Sequence, residues 1–284
     1  MNCDLHVHSH FSDGTASPAE IVAMARKLGL VVALTDHNTT SGLPEFVRAA
    51  KDAGVTAVPG IELSVDWMGR ELHLVGLFLE EKHYETLEGI ALEYHARKEA
   101  SNRELVANLR EAGYPLDYGE ILQKSPTGNV NRAHVASALV EKGFVRSVDD
   151  AFDTLLSEKA GYYKPPRRIG FYDAIRLLRK LDALPVLAHP LQYIGEEILR
   201  DILPGAVEAG LIGLETRHSS ASRETVKLLE KIAKEYGLVP SGGSDYHGDR
   251  KENVPLGIGG GGEVIPYGIY LGLLEALERI RNNA

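Results

Sequence analysis

The chain has 284 residues, 44% of them hydrophobic, and a formal net charge of −9 at pH 7. That length suits a barrel-sized core or one domain with a sizeable insertion, and the negative balance argues against a broad basic face for long polyanions. The single cysteine, Cys3, excludes an internal disulfide and suits a cytoplasmic protein, no apolar run is long enough for a membrane span, and the charged and imidazole residues from Asp4 onward do not form a secretory leader.

Asp4-Leu5-His6-Val7-His8 reads as a first strand. Side chains alternate along a strand, so His6 and His8 share a face with Val7 opposed. Ser12-Asp13-Gly14 follows as a turn whose carboxylate can reach back toward them. Ser17-Pro18-Ala19-Glu20 is a capping box with proline at the first helical position. Ile21, Met24, Ala25 and Leu28 recur at helical spacing, and Gly29 ends the helix. Leu30–Leu34 is an apolar strand running into Thr35-Asp36-His37-Asn38, and a second helix starts at Ser41 and runs to about Ala53. Strands at 57–65, carrying Glu62, and at 71–79, carrying His73, come next. The β-α-β-α-β order through Glu62 favours parallel strands.

From about His83 to Ala160 the strand signal fades. Helices are expected at Tyr84–Ala112, Asn131–Lys142 and Val148–Ser157. The β/α alternation then resumes with a helix at Phe171–Leu181 and a strand at Leu184–Ala188 that ends in His189-Pro190. A strand near Leu211–Glu215, a helix at Ser222–Tyr236 and a strand at Leu238–Ser241 lead to Ser244-Asp245-Tyr246-His247. The Gly259–Gly262 run reads as a flexible loop; it lacks the Lys-Ser/Thr of a phosphate-binding loop. The expected organisation is an α/β barrel built from 1–80 and 161–284, with a helical subdomain at 81–160 inserted over its functional end.

Six segments repeat one grammar, an apolar strand followed by His, Asp or Glu at or near its C-terminal end, where functional side chains of α/β sheets gather. Each acid or imidazole alone has an ordinary explanation: Asp36 as a helix cap, His73 as a core histidine, His189-Pro190 as a turn. Together, His6, His8, Asp13, His37, Glu62, His73, His189, Asp245 and His247 are too many for one ion of four to six ligands. If all bind, two or three ions share a bridging carboxylate.

These motifs (His-x-His near the N-terminus, Ser-Asp-Gly, Thr-Asp-His-Asn, Gly-Ile-Glu, Ala-His-Pro and Ser-Asp-x-His) resemble those of the PHP (polymerase and histidinol phosphatase) family, from His6 to His247. The resemblance implies a metal-dependent phosphoesterase on a distorted seven-stranded (β/α) barrel. It assigns one metal to His6, His8, Glu62 and Asp245, and a second to Glu62, His73 and His189. A third goes to Asp13, His37 and His247. The divalent ions would be three, with manganese first and zinc or iron as alternatives; mixed N/O ligation does not choose among them. The metals would activate the hydrolytic water as a bridging hydroxide.

Substrate contacts are expected from cations of the insertion and its return. Arg132 and His134 open a helix, and Lys164 lies among Lys159, Arg167 and Arg168 beside Tyr162 and Tyr163. Guanidinium forks and aromatic faces suit a nucleotide or sugar phosphate. His218, after the Leu214-Glu215 strand end, is the freer candidate for general acid because His189 is needed as a ligand. Asp36 is expected to orient His37 or its strand end. Family members with such an insertion act on nucleotides, which implies a 3′,5′-bisphosphonucleoside phosphatase, with 5′-3′ exonuclease action on short RNA a further expectation. The competing readings are a hydrolase of cyclic ribose or nucleotide phosphates and a non-catalytic PHP module. A structural-metal protein and a carbon–nitrogen hydrolase fit less well, since thiolates are lacking and cations are near. No membrane partner is expected.

Overall fold

The computed structural model describes residues 2–125 and 130–282. Contacts divide the chain into two compact units, one running to Gly89 and resuming at Arg168, the other spanning Ile90–Arg167. The insertion expected at 81–160 therefore begins later, inside a helix, for a local reason. The first turns of that helix belong to the barrel unit: Tyr84 and Leu87 join its core. The Glu88 carboxylate accepts hydrogen bonds from the Thr39 hydroxyl, from the Thr40 amide and hydroxyl, and from the Ser41 hydroxyl.

In the first unit, β1 (Asn2–Asp4), α1 (Pro18–Leu28), β2 (Leu30–Leu34), α2 (Leu43–Ala53) and β3 (Ala57–Trp67) follow the expected alternation. β4 (Arg70–Leu77) leads to α3 (Tyr84–Glu111), which carries the chain into the second unit with α4 (Tyr118–Gln123), α5 (Arg132–Glu141) and α6 (Val148–Asp153). β5 (Ile169–Gly170), α7 (Phe171–Lys180), β6 (Leu184–Leu187), α8 (Glu196–Ala209), β7 (Gly213–His218), α9 (Arg223–Glu235), β8 (Val239–Gly243) and α10 (Tyr267–Asn282) complete the first unit. α1 starts on the reciprocal Ser17/Glu20 box and stops at Gly29, whose φ of 67° is the left-handed cap. α2 starts two residues after the expected Ser41, whose hydroxyl is taken by Glu88. α8 and α10 carry no strong start signal in the sequence, and Pro204 sits inside α8.

The sheet order is β1-β2-β3-β4-β6-β7-β8, with short β5 pairing β3. β1-β2-β3 and β6-β7-β8 are parallel, whereas β4 runs antiparallel to both its neighbours. The reversal comes from a two-residue hairpin, Met68-Gly69, with φ of 50° and 81°, the geometry that matches strand twist. The outer strands nearly meet. Leu5 donates its amide to Gly242, Val7 bridges Tyr246, and Asp245 donates its amide to His6. This nearly closed seven-strand barrel is the architecture expected. Gly243 is required there, because a Cβ would lie 2.1 Å from that of His6.

Alternation splits β2 between two cores. Leu30, Val32 and Leu34 join the larger one with α1, α2, α7, α8 and α9; Val31 and Ala33 join a second with Cys3, Leu5, Val186 and the apolar face of α10. The unit Ile90–Arg167 has its own core, including Leu105, Leu109, Val135, Leu139, Leu156 and Tyr163. The Gly259–Gly262 run is packed at its first half, where Gly259 and Gly260 are buried with Arg217, Ala221 and Val226 where side chains would go, and exposed at Gly261 and Gly262.

A candidate metal centre at the strand ends

β1 ends at Asp4, short of the expected strand, yet the extended chain beyond it still separates its side chains as alternation requires. Val7 enters the large core, and His6 and His8 turn to the opposite side with ring centroids 5.1 Å apart. His37 follows β2 and pairs by an isolated bridge with Glu62 in β3. His73 is on β4, His189 follows β6, and Asp245 and His247 follow β8. The nine groups therefore come from six places in the barrel wall and from the Asp13 loop.

Glu62 is the hub. Its Oε1 lies 2.9 Å from His73 Nδ1 and 2.9 Å from His189 Nε2. Its Oε2 lies 2.9 Å from His37 Nδ1 and 3.2 Å from both His6 Nε2 and His8 Nε2. Five imidazoles thus crowd one fully buried carboxylate, which has about four lone-pair sites. Among the described residues, His6 Nε2, both nitrogens of His8, His37 Nδ1, His189 Nδ1 and Glu62 Oε2 are buried without a hydrogen bond. Buried polar atoms are nearly always satisfied. This set, all lone-pair donors, fits divalent cations.

Four groupings place one possible ligand atom of each member within 4.8 Å of the others: His8-Asp13-His37-His247, His6-Glu62-His189, His6-His8-Asp245 and His37-Glu62-His73. All nine residues are brought together, with His6, His8, His37 and Glu62 each in two groupings. Asp13 Oδ1 lies 3.1 Å from His247 Nε2, and Asp245 Oδ1 lies 3.2 Å from His8 Nε2. The backbone is strained at two of these positions, His189 at φ 24° and Asp245 at φ 59°. Such conformations cost about 1–3 kcal/mol each and cluster at functional sites.

Electrostatics follow from burial and crowding. Burial would raise the Glu62 carboxyl, but the surrounding imidazoles overcome it and hold the group well below the usual range. Burial pulls His73 down, and Glu62 and Glu71 outweigh it, bringing the imidazole to about 9. For His37 and His189, burial wins and both lie below the ordinary value. Asp245 and Asp13 are held low against their burial, Asp245 by His218 and His8, Asp13 by His247, His37 and His8.

Support comes from acids outside these groupings. Glu215 Oε1 lies 3.0 Å from His6 Nδ1, and its Oε2 accepts the His189 amide at 2.7 Å. A proton on His6 Nδ1 leaves the Nε2 lone pair facing the centre. Asp4 accepts from the Ser244 amide and hydroxyl and from the Gly257 amide, anchoring the Asp245 loop. Neither acid was singled out from the sequence, although Glu215 obeys the strand-end grammar. The expected role of Asp36 at His37 is corrected. Its carboxylate turns to the Asp13 loop instead, accepting from the Ser9 amide and hydroxyl at 2.7 Å each and from the Ser12 hydroxyl at 2.6 Å. The link to the neighbouring strand end is through its backbone, whose carbonyl accepts the Glu62 amide.

His218 ends β7, and its Nε2 lies 3.2 Å from Asp245 Oδ2. Its Nδ1 accepts from the Ser220 amide at 3.1 Å. An amide only donates, so Nδ1 is unprotonated and the ring's proton sits on Nε2. His218 is thereby held as an N–H donor facing Asp245 Oδ2.

The expected substrate cations lie in the Ile90–Arg167 unit. Arg132 opens α5 with its guanidinium over the Tyr163 and Phe152 rings, 4.4 and 5.5 Å from their centroids. His134 closes a capping box, accepting the Asn131 amide on Nδ1 at 3.2 Å. Lys164 is exposed and donates to Glu104 at 2.7 Å.

A nearly closed β/α barrel with imidazoles and carboxylates converging at strand ends has the architecture of a metal-dependent hydrolase. The PHP domain matches residues 4–163, and the chain belongs to that family. A 5′-3′ exoribonuclease of Haemophilus influenzae is 32% identical over 246 residues, covering 86% of this chain and 89% of the relative. A 3′,5′-nucleoside bisphosphate phosphatase of Chromobacterium violaceum is 29% identical over 249 residues, 87% of either chain. A crystal structure from Bifidobacterium adolescentis, described as that of a predicted metal-dependent phosphoesterase, superposes with a TM-score of 0.73 at 27% identity, covering 96% of this chain and 95% of the other.

Proposed function

We propose that this chain, a metal-dependent phosphoric ester hydrolase by family and fold, removes phosphate from 3′,5′-bisphosphonucleosides and acts on the 5′ ends of short RNA. The observation that carries the hydrolytic reading is the five-imidazole shell around Glu62, with its unsatisfied buried nitrogens. The substrate class follows the two named relatives. Three divalent ions, manganese first, would be held by His6, His8, Glu62 and Asp245, by Glu62, His73 and His189, and by Asp13, His37 and His247. When bound, such ions polarise phosphoryl oxygens and make a water acidic enough to attack at neutral pH.

The chain's own residues do the positioning. Glu215 sets the His6 tautomer, Asp4 holds the Asp245 loop, and Asp36 holds the loop that carries Asp13. The Nε2–H of His218 stabilises negative charge beside Asp245 as an oriented dipole. Arg132, His134 and Lys164 are proposed phosphate contacts; the stacking of Arg132 on Tyr163 fixes its guanidinium plane. Lys164 must exchange Glu104 for substrate. Among the described residues no helix is long and apolar enough to cross a membrane. A cytoplasmic site of action suits the single buried thiol of Cys3.

The test is phosphate release by manganese-loaded protein from 3′,5′-bisphosphonucleosides, short 5′-phosphorylated RNAs, cyclic phosphates and histidinol phosphate. Turnover of the bisphosphates and RNAs is expected. Turnover of cyclic phosphates alone would replace this substrate class with cyclic phosphodiesters, and silence on every member of a fully loaded protein would mean an intact site whose substrate class is a different one.

A further inference from the structure

The barrel unit carries a cation at its centre that neither the motifs nor the expected substrate contacts include. Lys251 closes the short turn Gly248–Lys251 immediately after His247. Its ammonium donates to Asp245 Oδ2, the carboxylate oxygen that also faces His218 Nε2, while Asp245 Oδ1 faces His8. The turn is pinned on both sides. Thr15 donates its amide to the His247 carbonyl at 3.1 Å and accepts the Asp249 amide on its hydroxyl at 3.0 Å. Val254 donates its amide to the Lys251 carbonyl at 2.9 Å. The backbone of Lys251 is therefore set, and its flexible stem is left to move the charge.

Two features separate this contact from a bracing ion pair. The Asp245 side chain is 8% exposed, but that of Lys251 is 39% exposed, so the ammonium stands where the buried centre meets solvent. An ammonium has three donors, and among the described residues Lys251 uses one, on Asp245. Two N–H groups remain for an incoming anion, next to a carboxylate whose other oxygen faces the imidazoles. A strongly hydrated point charge on a four-carbon stem suits a phosphoryl group that approaches in more than one orientation.

We propose that Lys251 is a substrate-binding residue of this centre, gripping a phosphoryl oxygen with the donors that Asp245 leaves unused. The proposal rests on the phosphoesterase reading and gives the barrel unit a phosphate contact of its own. Its test is calorimetric binding of inorganic phosphate to manganese-loaded protein, with metal per chain measured in parallel, for the wild type, Lys251→Met and Lys251→Arg. Lys251→Met is expected to weaken phosphate binding about 10- to 100-fold, the loss of one charge-assisted hydrogen bond, and to raise KM for the phosphorylated substrate similarly. Metal content stays unchanged, and Lys251→Arg retains most of the affinity. Unchanged phosphate affinity in fully loaded Lys251→Met overturns the proposal. So does loss of metal from Lys251→Met with normal affinity per loaded centre, which makes Lys251 a brace for Asp245. A wild type that binds no phosphate and hydrolyses no phosphoester refutes the functional reading itself, an outcome distinct from any difference among the variants.

Discussion

The two compact units both carry exposed ion pairs, but the barrel unit also buries a cluster of charges. In the barrel unit His6, His8, Glu62, His189, Asp245 and His247 are all buried, and each sits where a strand or its extension delivers it. In the Ile90–Arg167 unit the charged pairs are exposed: Arg103 with Glu99, Lys124 with Glu141 and Lys164 with Glu104. Exposed pairs of that kind contribute about 0–1 kcal/mol each, so the helical unit rests on its core of Leu105, Leu109, Val135 and Leu139. The barrel unit instead concentrates buried, mutually dependent charges that would destabilise it without ions to satisfy them. The contrast sets a buried cluster whose charges depend on one another beside exposed pairs that each add little to stability.

The largest effect is expected at the hub. Glu62→Gln keeps the shape but removes the charge shared by five imidazoles; the two ions proposed to share it should be lost, and turnover should fall by about 10³-fold or more. Metal analysis showing full occupancy in this variant would mean that Glu62 is a core acid and not a bridge. Glu215→Gln should lower activity or metal affinity by about 10- to 100-fold, as loss of an imidazole's outer partner commonly does; wild-type titration curves would remove Glu215 from the design. Asp13→Ala should cost one metal equivalent and leave the remainder bound, because Asp13 belongs to a single grouping and is itself part exposed. Loss of every ion would show that the groupings are not separable.

Changes in the helical unit should be milder for the metals. Arg132→Ala is expected to raise KM about tenfold with metal per chain unchanged, read from kinetics and metal analysis on one preparation; a fall in metal content would refute its assignment to substrate. Leu139→Ala, at a fully buried core position, should cost about 2–5 kcal/mol of that unit's stability. Retention of the metal content of the folded protein, followed by chemical denaturation, is the outcome that keeps the two regions distinct; parallel loss of both would merge them.

The nine candidate ligands were legible because each obeys a local rule. Strands are apolar runs, and His37, His189, Asp245 and His247 are polar residues just past their ends, while Glu62 interrupts the apolar run of β3. Helix caps were equally local, as with the Ser17/Glu20 box and the Asn131 cap. The supporting residues were less legible because their partners are distant in sequence. Asp4 meets Ser244 and Gly257, Glu215 meets His6, and Asp36 meets Ser9 and Ser12. Nothing in the residues around Asp36 says whether it turns toward His37 or toward the Asp13 loop.

By itself, then, the sequence determined the β/α alternation, the interruption by a helical segment, and the inventory of imidazoles and carboxylates, since periodicity, capping and residue chemistry act over a few neighbours. Only the tertiary structure decided that Glu215 stands behind His6, that Asp4 anchors Ser244 beside Asp245, and that His218 faces Asp245. Those facts depend on barrel closure, which brings His6 against Gly243 and groups more than two hundred residues apart into one hydrogen-bond network. Strand order and the angle at which chains cross carry that information, and no short window of sequence contains it.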